Sequence, residues 1–301
     1  MYDGKLDTFI AVVEAGSFSK AATKLFISPV SVMKQIEALE NDTQIKLFNR
    51  STQGVVLTSA GEAVYESARK LIHDANLAIE NAQKIATNEK PTIRIGTSLL
   101  RSSRVLTNLW TDFNEGPLPF NLKIVPFGDD PTSMQRMFTS LGETVDCFVG
   151  PTDSYQLNDG HYKVRQLTNV SCCCAVPKLH RLANKEGLTW ADLDGESLLL
   201  VRRGQSPVLD RMRDEIEAEH VGIKIVDTEN FYDIDAFNLA DQRQYIMETL
   251  EIWKNLHPSL VTIPMKWDFK MPYGIIYSDD ASDAVHNFIN LSEKLYKNNV
   301  K

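Results

Sequence analysis

Phe18-Ser19-Lys20-Ala21-Ala22-Thr23-Lys24-Leu25-Phe26-Ile27-Ser28-Pro29-Val30-Ser31-Val32 is the stretch whose reading decides the fold. Phe18, Ala21, Ala22 and Leu25 recur at helical spacing and give one buried face. The paired alanines let a second helix cross closely, because only small side chains permit that approach. Phe26-Ile27 makes a short apolar turn. Ser28 then caps a new helix, with Pro29 at its first position, where no N–H is needed. That helix buries Val32, Ile36 and Leu39 and turns Val30, Ser31, Lys34 and Gln35 outward. Two short helices at a steep angle, with small hydroxyl, amide and cationic residues on the outer face of the second, suit insertion into a major groove.

Working outward, the string continues as Gln35-Ile36, Leu39-Glu40, Leu47-Phe48-Asn49-Arg50, Val55 and Leu57-Thr58-Ser59-Ala60-Gly61. Together with Phe18–Val32 it resembles the amino-terminal domain of LysR-type transcriptional regulators, over about the first sixty residues and in order. The resemblance implies a winged helix-turn-helix that binds double-stranded DNA through Ser28, Val30, Ser31, Lys34, Gln35 and, from the wing, Arg50. Three departures stand against it. Pro29 occupies a position where the family often has glutamine, and Gln53 and Val56 replace basic residues of the wing. At Val30 an apolar contact to a thymine methyl takes the place of a polar one.

The chain has 301 residues, 43% of them hydrophobic, and a net charge of −8. That length allows two or three folded units. An acidic balance argues against nucleic acid, which favours Lys and Arg. Most of the acid excess, however, falls after Pro91, and between Lys20 and Arg50 the cations Lys20, Lys24, Lys34, Lys46 and Arg50 stand against Glu37, Glu40 and Asp42. Net charge governs solubility more than one small face. With no signal sequence at the amino terminus and no apolar run of about 18 residues, the expectation is a cytoplasmic protein without membrane contact.

From Ser59 to about Thr87 the sequence reads as one long helix. Val64, Ala68, Leu71, Ala75, Ala78, Ala82 and Ile85 form a heptad seam, flanked by Tyr65, Ile72, Ile79 and Ala86. Such a seam packs inside its own chain or pairs with a second copy, and the resemblance implies a dimerising linker. Pro91 ends the helix.

Beyond Thr92, strands alternate with helices: strands at Ile93–Gly96, Leu122–Pro126, Val145–Val149, Ser171–Val176, Ser197–Val201, Ile223–Val226 and Gly274–Tyr277, and helices near Ser103–Phe113, Ser133–Leu141, Val208–Ala218 and Ser282–Lys297. This is the rhythm of an α/β fold with a parallel sheet. The resemblance implies two Rossmann-like lobes, similar to a periplasmic-binding-protein fold, with an effector cleft between them. The expected organisation is therefore a winged helix-turn-helix over 1–58, a linker helix over 59–90 and an effector domain over 91–301. Within the last, one lobe takes about 91–167 with 272–301 and the other about 168–271. A dimer of dimers is implied as well.

Ligands in such sheets bind beyond the carboxyl ends of strands, at helix amino termini. Thr97, Ser98 and Ser102 follow the first strand, and Arg202, Arg203 and Ser206 follow Ser197–Val201. These donors suit a small anionic effector, a carboxylate above all; helix capping and salt bridges are the competing uses of the same residues. Phe148 and Gly150 are placed on the cleft floor and Phe231 or Asp233 on its far wall. Where the family often carries a Gly-x-Gly effector loop, this chain has Gln244-Tyr245-Ile246-Met247-Glu248-Thr249, so that side of the site does not transfer.

Cys172-Cys173-Cys174 cannot converge on one ion from a strand, whose side chains alternate between faces. Buried, inert thiols are the first reading and a thiol sensor the second. Phosphate-binding loops, a nucleophile elbow and a His-Glu-x-x-His helix are absent, so neither enzyme nor cofactor is expected. A regulator without an effector, and a small-molecule-binding module with a vestigial DNA head, remain the alternatives.

Overall fold

The computed structural model describes residues 2–51, 54–86, 89–111, 118–158 and 161–299. The chain divides into two compact units, Met1–Glu89 and Lys90–Lys301.

The first unit contains α1 (Lys5–Ala15), α2 (Phe18–Leu25), α3 (Pro29–Thr43), the hairpin β1 (Phe48–Ser51) and β2 (Gly54–Leu57), and α4 (Ser59–Ala86). Ala21 and Ala22 are buried against Phe9, Val12, Val32 and Ile36, the close crossing the small side chains allow. Phe26 ends α2 in the left-handed region, at φ 56°, with its amide directed at the carbonyls of Ala22 and Thr23. Glu40 ties α3 to the hairpin: its carboxylate accepts from the amides of Leu47 (2.8 Å) and Phe48 (3.3 Å) and from Lys46 Nζ (2.9 Å). Burial pushes its pKa up, but the three donors outweigh that and hold it below the ordinary value. Thr58 Oγ1 accepts from the Gly61 amide at 2.9 Å, opening α4.

The heptad seam on α4 divides. Val64, Tyr65 and Ala68 pack on the core of their own unit, whereas Leu71 is 50% and Ile79 43% exposed. The side chains of Ile85 and Ala86, like that of Arg50 and the whole of Gln53, lie outside the described residues.

The second unit is α/β. In chain order it contains β3 (Thr92–Thr97), α5 (Arg104–Thr111), β4 (Asn121–Pro126), α6 (Pro131–Thr139), β5 (Cys147–Pro151), β6 (Tyr162–Pro177), β7 (Ser197–Val201), α7 (Pro207–Glu219), β8 (Lys224–Thr228), α8 (Ile234–Arg243), β9 (Ile246–Leu250), β10 (Leu260–Pro264), β11 (Lys270–Ser278) and α9 (Asp283–Asn299). One sheet runs β4-β3-β5-β11-β6-β9-β7-β8, with β10 also on β6. β3 is parallel to β4 and β5, and β7 to β8 and β9, the two βαβ halves; β6 and β11 are antiparallel to their neighbours. At Ser171 the partner of β6 changes from β11 to β9 and β10, so one strand carries the sheet from half to half.

Each half has its own core. Trp110, Phe120 and Phe288 pack in the first, with Trp110 stacked on Phe288 at 5.5 Å; Leu198, Leu199, Met212 and Phe237 fill the second. The strand expected at Ser171–Val176 is the buried end of the sixteen-residue β6. Elements α8, β9 and β10 had no counterpart in the sequence reading.

Candidate functional site

The exposed face of α3 is built at its amino terminus. Ser28 Oγ accepts the Ser31 amide at 3.1 Å and lies 2.8 Å from Ser31 Oγ, so the two hydroxyls form one capping pair. Val30 is 60% exposed, and Met33 and Lys34 share its face. Gln35 is half-buried, and its Oε1 accepts the Thr8 hydroxyl at 2.5 Å. Lys24 pairs with Glu14 and Lys46 with Glu40, whereas Lys20 and Lys34 are exposed with no acidic partner among the described residues. The α3 face thus presents Lys34, a cation without an acidic partner among the described residues, beside an apolar tip.

In the second unit a cavity of about 290 Å³ opens where β5, α6 and the loops after β7 and β8 meet. Phe148, Arg202 and Phe231 line it, and Gly150 lies beneath Arg101, where a Cβ would touch Arg101 Cγ at 3.4 Å. The hydroxyls expected to hold a ligand are engaged within the chain instead. Thr97 Oγ1 accepts from the Ser103 amide (3.1 Å) and Ser102 Oγ from that of Arg104 (3.3 Å). Ser98 Oγ donates to Asp129 Oδ1 at 2.7 Å and accepts from the Arg101 amide at 3.0 Å. Ser206 is fully buried as the cap of α7, donating to Asp153 Oδ2 at 2.6 Å. Arg203 turns outward and pairs with Asp214 (2.6 Å) and Glu217 (2.9 Å) of α7, which removes it from the cleft. Asp233 lines the cavity while capping α8.

Two carboxylates absent from the sequence reading explain these shifts. Asp129, buried, accepts from Ser98 Oγ, from the Leu100 amide (3.1 Å) and from Arg101 Nη1 (2.8 Å). Asp153 accepts from Ser206 and from the Val208 amide (2.7 Å). The anion-binding positions at these turns therefore hold the chain's own aspartates. Arg101 was missed because a charged residue between a strand and a helix reads as solvated. The signal that finds it is Asp129-Asp130, placed after the next strand to meet it.

The three adjacent cysteines are buried in β6. Burial pushes the Cys173 thiol up to about 12 and holds Cys172 and Cys174 well above the ordinary value too, so none is a thiolate at neutral pH.

Known proteins match both units. The family model described as "Bacterial regulatory helix-turn-helix protein, lysR family" matches residues 4–62, and that of the "LysR substrate binding domain" matches residues 130–295. The HTH-type transcriptional activator AaeR of Escherichia coli (strain K12) is 38% identical over 107 residues, 35% of this chain and 34% of that protein. The HTH-type transcriptional regulator CysL of Bacillus subtilis (strain 168) is 28% identical over 204 residues, 68% of this chain and 66% of that one. The alignments thus span about a third of AaeR's length and about two thirds of CysL's. Full-length CbnR, solved in complex with its target DNA, superposes with a TM-score of 0.71 at 19% identity, covering 98% of this chain and all of that one, which is a likeness of fold. With family models covering the head and more than half of the whole chain, this protein belongs to the LysR family of helix-turn-helix regulators.

Proposed function

We propose that the chain is a transcriptional regulator that docks on double-stranded DNA and responds to a small anionic effector, a carboxylate, bound in the cavity. Residues 1–58 are its DNA-binding head, 59–90 its dimerising linker and 91–301 its effector domain. The observation that carries the reading is the α3 face, where Val30 stands exposed beside Lys34, a cation without an acidic partner among the described residues. Ser28 and Ser31 organise the start of the helix, Ser31 and Gln35 read base edges, and Lys34 and Arg50 neutralise phosphates. CbnR, alike in fold, is seen bound to its target DNA. Effector binding shifts the packing of subunits in a dimer of dimers and so the spacing of the heads, a coupling of two states rather than a chemical step. Among the described residues no helix is long and apolar enough to cross a membrane; action in the cytoplasm fits a DNA-binding role.

The test is binding of the purified protein to its own upstream DNA across a salt series. Lys34→Ala and Arg50→Ala are expected to weaken binding and to lower the slope of log K against log salt by about one each. Unchanged affinity and slope in both variants overturn the docking face.

A further inference from the structure

Arg101 is a guanidinium taken almost wholly out of water, at 4% exposure, yet only one of its nitrogens has an acceptor. Nη1 donates to Asp129 Oδ1 at 2.8 Å, while Nε and Nη2 have no acceptor among the described residues, and the side chain lines the cavity. A guanidinium carries five N–H donors in a rigid plane. The edge left open is the Nε–Nη2 edge, whose two parallel N–H bonds match the two oxygens of a carboxylate.

The guanidinium is held in place before any ligand arrives. Asp129 grips Nη1 and, through Ser98 Oγ and the Leu100 amide, fixes the turn that carries Arg101. Trp253 Nε1 donates to the Leu100 carbonyl at 2.7 Å, fastening the same turn from the other half of the unit.

We infer that the cavity takes a singly charged organic anion, a monocarboxylate with a compact apolar body, clasped by the open edge of Arg101. The inference rests on the effector-binding reading above and replaces its serine donors with this arginine. Charge sets the limit of one. Around the cavity, Arg101 and Arg202 stand against Asp129, Asp233 and Glu229, three acids to two cations, so each negative charge on a ligand beyond the one clasped by Arg101 adds repulsion. Shape sets the body. Phe148 is fully buried, Phe138 packs edge-on to it at 5.6 Å, and Phe231 lies opposite them in sequence origin, from the loop after β8. At about 290 Å³ the space is at the small end for ligand pockets, about 300–1,000 Å³.

The experiment is calorimetric titration of the full-length protein with benzoate, cyclohexanecarboxylate, benzamide, succinate and sulfate. The two monocarboxylates are expected to bind at least tenfold more tightly than the other three. Arg101→Lys keeps the charge and loses the fork, and is expected to weaken monocarboxylate binding tenfold or more. The double variant Arg101→Gln with Asp129→Asn removes both charges together, leaving neither buried alone, and is expected to abolish the preference for benzoate over benzamide. Circular dichroism checks that each variant is folded; if the double variant is not, Arg101→Lys decides. Benzamide or succinate binding as tightly as benzoate, no monocarboxylate binding, or undiminished binding in folded Arg101→Lys overturns the inference. DNA occupancy measured alongside separates the two readings. Arg101-dependent binding of the monocarboxylates with no change in DNA occupancy retains the ligand site and removes the effector role. A response only to neutral or doubly charged compounds retains the effector role and removes this ligand class.

Discussion

Asp153 Oδ2 lies 2.6 Å from Ser206 Oγ and 2.7 Å from the Val208 amide, so a loop after β5 caps the helix α7 in the other half of the unit. The contact ties the two halves together from within the chain. Asp153→Ala leaves the buried Ser206 hydroxyl and an α7 amide without their acceptor and should cost about 1–3 kcal/mol of unfolding free energy. Asp153→Asn, which keeps one acceptor oxygen, should cost less. Urea denaturation of both variants checks this, and equal stability to the parent chain refutes the cap.

Gly61 reverses the ordinary rule of helix propensity. Alanine is favoured over glycine inside a helix by about 1 kcal/mol, but a Cβ at Gly61 would lie 2.2 Å from the Leu47 carbonyl oxygen, which is backbone. Gly61→Ala must push α4 away from the base of the hairpin. We expect a net loss of about 1–3 kcal/mol, as for other overpacking changes, seen as a lower midpoint of thermal unfolding. A raised midpoint contradicts the close approach.

Glu248 is fully enclosed in the second half, where its carboxylate accepts the Tyr232 hydroxyl at 2.9 Å and sits beside Cys172 and Cys174. Burial pushes its pKa up to about 7, against the opposing hydrogen bonds from Tyr232 and Cys172. The folded protein therefore holds a proton that the unfolded chain, at the ordinary value of 4.5, has released. The stability this confers is complete below about pH 4.5 and is lost as pH rises through 7, on the order of 3 kcal/mol in all. Glu248→Gln should flatten that decline between pH 5 and 8. Parallel slopes for the two proteins in urea unfolding would show that the group does not titrate there.

Leu71 is half exposed on α4, beyond the turns that pack on their own core. If α4 pairs with a second copy, Leu71→Glu places two carboxylates in that seam and dissociates the dimer. Light scattering is the measurement, and an unchanged oligomer that remains folded removes this helix from the interface.

Legibility in the sequence followed the strength of the apolar signal. The head was readable because Phe18, Ala21, Ala22, Val32 and Ile36 are all core, and the helical period exposes them directly. A strand crossing near Leu167–Ser171 is legible, but Tyr162–Gln166 of β6 is hidden because Lys163, Arg165 and Gln166 interrupt it, and pairing with β11, not burial, makes it a strand. Strand β9 is buried throughout, but its Glu248 and Thr249 break an apolar run that would otherwise mark it. At the site, the sequence marks the loops bearing Thr97, Ser98 and Ser206, but it leaves ligand binding and helix capping open as uses of their hydroxyls. Spacing along a chain shows donors but not which acceptors fold back to meet them, and here Asp129 and Asp153 do so from 31 and 53 positions away.

The path of β11 also sets an order of assembly. Strands β3, β4 and β5 leave the ribosome early, but the neighbour that completes their edge begins only at Lys270, and α9, which covers their core, follows it. At about 5–20 residues per second, roughly ten seconds separate the end of β5 from the start of β11. In that interval the β5 edge, all five of whose residues end up buried, has no mate from its own chain, while β7, β8 and β9 already have one another. The half begun first is closed last, and the β5 edge waits for its mate until β11 is made.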